Sequence, residues 1–213
     1  MKEYFEYIFP FLLILYILSW SGRQIGISRK KNSIISLATV ILSAILCLLP
    51  IGDLSIGDYM LSFNPSFSVG IISLLIILLT KELSGRELLR EKDLLWFSIW
   101  NLSISLILYS SSLGFIGTDM YGAGYRFSLI FVVTAALTLA MIFIKSRLYI
   151  IFTAYIVVFN LKILPSNNFF DHITDGVLFF ASAIIILRFI LRYKGIRLVN
   201  YQTDPEGKLH EGI

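Results

Sequence analysis

The chain has 213 residues, of which 57% are hydrophobic and only 15% charged, with a mean hydropathy of +0.81. Soluble domains carry about 45–50% apolar and about 25% charged residues, so this composition excludes an ordinary water-soluble fold. A net charge of +4 would suit a nucleic-acid binder only if it were gathered on one solvated face; here it is spread among short loops, and no direct nucleic-acid contact is expected. The single cysteine, Cys47, lies in an apolar run, which rules out an intramolecular disulfide and a thiolate metal site. Neither a cofactor nor a metal is expected.

The first apolar segment runs from Tyr7 to Trp20. Glu3 and Glu6 follow Lys2 closely and no small-residue cleavage site closes the run, so it reads as a retained membrane helix and not a cleaved leader. Further apolar runs follow at Ser33–Ile51, Ser66–Thr80, Leu94–Leu113, Phe127–Ile144, Leu148–Leu164 and Val177–Leu191. The third can recruit Tyr59–Phe63 ahead of Asn64-Pro65, or be broken there into a re-entrant turn. The expected fold class is all-α, a polytopic α-helical membrane protein with about six to seven transmembrane helices in one bundle. The bundle covers residues 1–192, with spans near 7–20, 33–51, 59–80, 94–113, 127–144, 148–164 and 170–191, and residues 193–213 form a cytoplasmic tail.

The charges of the loops alternate. Loop 21–32, loop 81–93, the turn near 146 and the C-terminal segment hold fifteen of the eighteen basic residues, whereas Lys2, Arg126 and Lys162 fall between them. Acidic Glu3, Glu6, Asp53, Asp58, Asp119, Asp171 and Asp175 share the side of those three. By the positive-inside rule the C-terminus is cytoplasmic and the N-terminus outside. Ile outnumbers Ala by 33 to 9, a bias toward residues with A/T-rich codons that fits a bacterial gene and hence the inner membrane.

Three polar groups gather on the outer side. The first holds Asp53 and Asp58 with Gly52, Gly57, Tyr59, Asn64 and Pro65. The second runs from Ser110 to Arg126 and includes Asp119, Tyr121, Gly122, Gly124 and Tyr125; it reads either as a headgroup-recognising surface or, more simply, as an aromatic belt with flexible glycines. The third carries Asp171, His172 and Asp175. Asp171 and Asp175 are four apart and share a helical face, where like charges repel unless something positive intervenes. Helix capping, an ion pair with Arg126 or Lys162, and a bound hard cation each meet that need. Nucleophilic catalysis has little to stand on: the Ser residues lie in apolar runs where hydroxyls bond back to their own helix, and His172 and His210 fall on opposite sides. A pairing of Ser112 with His172 is the one arrangement left open.

On the cytoplasmic side, residues 81–93 read as a solvated hairpin end with mutual charge pairing. Arg86, Arg90, Arg192, Lys194, Arg197 and Tyr201 are the expected contacts for a cytosolic partner, with residues 195–201 either disordered or able to add a strand to it.

Gly57-Asp58-Tyr59, Asp119 with Tyr121 and Gly124-Tyr125, and Asn167-Asn168-Phe169-Phe170-Asp171 with Asp175 together resemble small polytopic proteins of bacterial defence regions, nearest among them the membrane subunit of the Kiwa anti-phage system. The resemblance, carried over most of the chain by size and layout, implies a non-enzymatic membrane sensor that responds to infection and works with a cytosolic effector engaging DNA. Two other classes stand beside it: a small ion or solute channel or transporter, and an envelope lipid- or glycan-modifying enzyme using Asp171, His172 and Asp175. Partners expected on these grounds are the lipid bilayer, further copies of the chain in a homo-oligomer, and a cytosolic effector protein.

Overall fold

The computed structural model describes residues 5–25, 33–125 and 129–193. The described chain is mostly helical with almost no sheet, as an all-α reading expects. In order come α1 (Ile8–Gln24), α2 (Ser33–Leu48), a two-residue antiparallel hairpin of β1 (Pro50–Ile51) and β2 (Leu54–Ser55), α3 (Ile56–Phe63), α4 (Val69–Ser84) and α5 (Glu91–Ser112). A 3₁₀ turn at Gly122–Tyr125 precedes α6 (Leu129–Phe143), α7 (Leu148–Asn160), α8 (Phe169–Ile173) and α9 (Gly176–Tyr193).

Local signals account for the boundaries. Ser55 and Asp58 form a reciprocal capping box that starts α3, satisfying amide groups the first turn leaves unpaired. Asn64 is extended, as a residue before proline tends to be, so the chain cannot run from α3 straight into α4. Ser68 caps α4 by accepting from the Ile71 amide, and Gly85, at φ +68°, closes it. Glu91 and Asp93 sit in the first turn of α5, where the helix dipole favours negative charge. Hydroxyls inside the apolar helices bond back to their own backbone, as expected: Thr39 to the Ile35 carbonyl, Ser43 to Thr39, Thr134 to Ile130 and Thr138 to Thr134, all at 2.7–2.8 Å.

α4 is central, packed between α1 and α7; α9 runs along α5, α6 along α7 and α2 along α1. The core is built on Leu74 and Leu75 of α4, Phe97 and Ile104 of α5, Tyr155 of α7, Phe169 and Ile173 of α8, and Leu178 of α9. Phe9 of α1 stacks on Phe67 just ahead of α4, with ring centroids 3.6 Å apart. Cys47 is buried and free.

Two expected apolar segments are broken. The segment expected near 59–80 divides at Asn64-Pro65 into α3 and α4. The one near 170–191 divides at Thr174, which is extended, into the five-residue α8 and the longer α9. Among the described residues, only α5 is long and apolar enough to cross a membrane by length and composition; α1, α2, α6 and α7 are apolar but shorter. The shortening has a cause in the turns: Lys145 and Lys162 take positive φ just beyond α6 and α7 and reverse the chain early.

The two ends of the bundle differ. At one end Tyr7 donates to Asp58, Tyr121 to Asp171, and Ser68 to Asp175, so the acidic loops meet there. At the other, Arg23 pairs with Glu82 at 3.0 Å, Arg90 with Asp93 at 2.9 Å and Arg192 with Glu91 at 3.0 Å. Arg147 donates to the Glu87 and Leu88 carbonyls, and Ser146 to Asp93, stitching the turn before α7 to the loop before α5. Between the ends the surface is apolar: Leu37, Ile41 and Ile45 of α2, Leu139 of α6 and Leu187 of α9 are each more than half exposed.

Candidate functional site

The acidic end holds a cleft of about 600 Å³ between the loop joining α3 to α4, the last turns of α5 and the α8–α9 junction. Tyr121, Asp171 and Asp175 line it, joined by Tyr109, Ser112, Asn64 and Ser66 and by a set of aromatic rings.

Asp175 lies at the meeting of two helix N-termini. Its Oδ1 accepts from the Leu178 amide at 2.9 Å, capping α9. Its Oδ2 accepts from the Ser68 amide at 2.9 Å and the Ser68 hydroxyl at 2.6 Å, and Ser68 is itself the cap of α4. Two partial positive charges therefore converge on one carboxylate. Asp171 is held differently: it accepts from the Tyr121 hydroxyl at 2.8 Å and from Ser166. Burial, reinforced by the hydrogen bond to Asp171, pushes the Tyr121 hydroxyl well above the usual phenol range, so it remains a donor. Asn168, fully buried, ties the layer together: its side-chain nitrogen donates to the Tyr121 carbonyl at 2.9 Å while its oxygen caps α8.

The shared helical face expected of Asp171 and Asp175 is corrected here. The extended Thr174 separates them into different elements, so their spacing in sequence says nothing about a common face. Capping and hydroxyl donors hold them, and neither carboxylate makes an ion pair with Lys162. His172 points away from both, fully buried, with Nδ1 on the Asn168 carbonyl at 3.1 Å and its ring edge-on to Phe159 at 5.2 Å. It therefore shares no site with Asp171 and Asp175, and no hydrogen bond joins it to Ser112. Among the described residues no three His, Cys, Asp or Glu side chains gather as metal ligands.

The other expected members lie apart. Asp58 serves the α3 cap and accepts from Tyr7; the hydroxyl of Ser55, then Tyr7, then the Ser55 amide hold its carboxyl below the usual carboxylate range. Asp119 caps the 3₁₀ turn through the Gly122 amide at 2.8 Å, and Asp53 sits exposed at the hairpin tip. Gly124 is buried, and a Cβ there would fall 1.9 Å from the Asn168 side-chain oxygen; the glycine serves close packing and not flexibility, as expected of a belt. Arg126 lies outside the described residues.

At the basic end, Arg90 is engaged with Asp93 and Arg192 with Glu91, and Lys81 pairs with Glu87 at 2.8 Å, the mutual charge pairing expected of residues 81–93. Arg86 is exposed, with no carboxylate partner among the described residues. Lys194, Arg197, Tyr201 and the expected strand over residues 195–201 lie outside the described residues.

The sequence reading missed Tyr109 and Ser68. Tyr109 is embedded in an apolar run, and its one signal is helical spacing: Ser105, Tyr109 and Ser112 recur at intervals of four and three along α5. Below the cleft, Ser105 bonds Thr174 at 2.7 Å, deeper still the Tyr155 hydroxyl meets the Asn101 side chain, and Trp100 Nε1 is buried without a partner among the described residues.

No family model, no curated protein and no solved structure matches this chain.

Proposed function

We propose that the chain is a polytopic membrane protein of the bacterial inner membrane, its acidic end outside and its basic end cytoplasmic, acting as a non-enzymatic sensor that couples ligand arrival in the outer cleft to a cytosolic partner. The apolar waist between two polar ends carries this reading. Each exposed Leu, Ile or Phe in water forgoes about 1.5–3 kcal/mol relative to burial, a cost that lipid or a second copy of the chain removes. α5, at about 33 Å for 22 residues, matches a hydrocarbon core of about 30 Å. The shorter helices fit through local bilayer thinning and snorkelling of flanking Lys and Arg.

Binding, and not turnover, is favoured because both cleft carboxylates are occupied by structural donors and, among the described residues, the cleft lining holds no His, Lys or Cys to act as base or thiol nucleophile. The likeness to the Kiwa membrane subunit supports a role in anti-phage defence with a cytosolic effector. A small transporter is the second reading, favoured by the fully buried Ser98, Asn101 and Ser105 that α5 turns inward beneath the cleft.

Cysteine labelling tests the arrangement. With Cys47 replaced by Ser, an impermeant maleimide should label Asp119→Cys or Ser112→Cys from outside intact cells and Arg86→Cys only after permeabilisation. Labelling of both ends from one side would overturn the topology. The partner is tested by mild-detergent co-purification: a stoichiometric cytosolic protein lost on Arg86→Glu supports the sensor, and purification of the chain alone opposes it.

A further inference from the structure

We infer that the outer cleft recognises the ammonium head of a cationic amphiphile, an inference that rests on the reading of the cleft as an outward-facing ligand site. The lining carries two carboxylates, Asp171 and Asp175, and no Lys or Arg among the described residues. An anionic ligand is disfavoured by that charge, whereas a cation adds attraction from both carboxylates to the donors they already hold.

A bare metal ion fits poorly. The oxygens of Asp175 already accept three hydrogen bonds and those of Asp171 accept from two hydroxyls, while no third acidic, His or Cys group joins them. A hard cation needs six or more oxygens close in and would have to strip these donors away. An alkylammonium asks for less: a diffuse positive charge is satisfied at longer range by carboxylates that keep their own donors, and by aromatic faces.

The walls supply those faces. Tyr109, Tyr121 and Phe170 line the interior, and Phe63 and Phe180 stand at the rim, 89% and 67% exposed. An exposed aromatic rim at the end of an apolar waist is where an alkyl chain would lie while its head enters the cleft. The 600 Å³ volume takes a trimethylammonium head with several methylenes to spare.

The test uses the full chain in a maltoside detergent, with binding read by calorimetry and by melting temperature. The probes are octyltrimethylammonium, octanol and octyl sulfate below their micelle ranges, and dihexanoyl phosphatidylethanolamine. The expected result is saturable binding of octyltrimethylammonium, a raised melting temperature, and no equivalent effect of octanol or octyl sulfate. Competition by the phosphatidylethanolamine would identify the source as a lipid headgroup; binding that it leaves untouched would identify a soluble amphiphile. Tyr109→Leu should weaken binding about tenfold, the loss of one cation–π face in a desolvated site. Asp171→Asn should weaken it further; since that variant also touches the Tyr121 and Ser166 bonds, Tyr109→Leu, whose hydroxyl has no partner, keeps the test readable. Equal effects of octanol and octyltrimethylammonium, or no binding at all, overturn the inference. Should ammonium fail to bind while Ser112→Cys is still labelled from outside, this inference alone falls; loss of that labelling removes the reading beneath it.

Discussion

Replacing Gly70 with Ala probes the junction that shapes the cleft. Gly70 lies in the first turn of α4, and a Cβ there would stand 2.4 Å from the Ile173 carbonyl oxygen, 2.5 Å from Leu178 Cδ2 and 3.0 Å from the Tyr155 hydroxyl. Ordinary contacts begin near 3.5 Å, so about 1 Å of separation must be found. The Leu178 methyl can move, but the Ile173 carbonyl is backbone in a fully buried residue. A clash this close against backbone falls in the upper part of the overpacking range, about 2–3 kcal/mol, and alanine's better helix propensity returns at most about 1 kcal/mol, leaving a net loss of at least about 1–2 kcal/mol. For a chain of this size that is a fall of about 2–8 °C in melting temperature, read by tryptophan fluorescence in maltoside micelles at a fixed heating rate. Because Ile173 is followed by Thr174 and Asp175, the variant should also loosen Asp175 from Ser68 and weaken ligand binding at the cleft. A Gly70→Ala protein that melts at or above the parent would show that α4, α8 and α9 do not meet as closely as described.

Asp175→Asn removes the charge on which two helix N-termini converge and should lower stability by about 1–2 kcal/mol, whereas Asp53→Asn at the hairpin tip should leave the melting curve unmoved. Asp58 has a pH signature: its carboxyl is held below its unfolded range, so its contribution is present above about pH 4 and fades as pH falls through the folded value. The melting-temperature gap between the parent and Asp58→Asn should accordingly be open at neutral pH and narrow as the pH falls below about 4. Asn101→Leu removes the donor to the Phe97 carbonyl and the contact with the buried Tyr155 hydroxyl and should cost about 1–2 kcal/mol; if substrate flux in liposomes disappears while the protein stays folded at the assay temperature, the transporter reading gains over the sensor.

The gathering of basic charge at one end could be read in advance because it is one-dimensional information: Lys and Arg recur in alternate loops, and helices fold those loops to the same end, where acidic partners from residues 81–93 meet them. Helicity followed from apolar runs in the same way. The site was less legible. Asp171 and Asp175 look like neighbours on a helix until Thr174 interrupts it, and the sequence around Thr174 has no proline or glycine before Gly176 to announce the break. The partner that settles Asp175, Ser68, is 107 residues away and is an ordinary helix cap by its own surroundings. His172 sits between two site residues and serves the core, since a side chain one position along a short helix points about 100° elsewhere. Tyr109 was hidden because an aromatic residue in an apolar helix carries no mark that separates a wall of a cleft from a face toward lipid.

The Asp175 carboxylate bears on more than the stability of its corner. It grips the start of α4 and the start of α9, and those helices run about 24 Å and 27 Å toward the basic end, one finishing beside Lys81 and Glu82, the other at Arg192. Displacing that carboxylate would release the starts of both helices together. Two rods pinned at one hinge move together or splay apart, and Arg192 bound to Glu91 of α5 is where a splay would first be felt. A single acidic side chain thus ties the cleft to both of the helices that reach the charged surface.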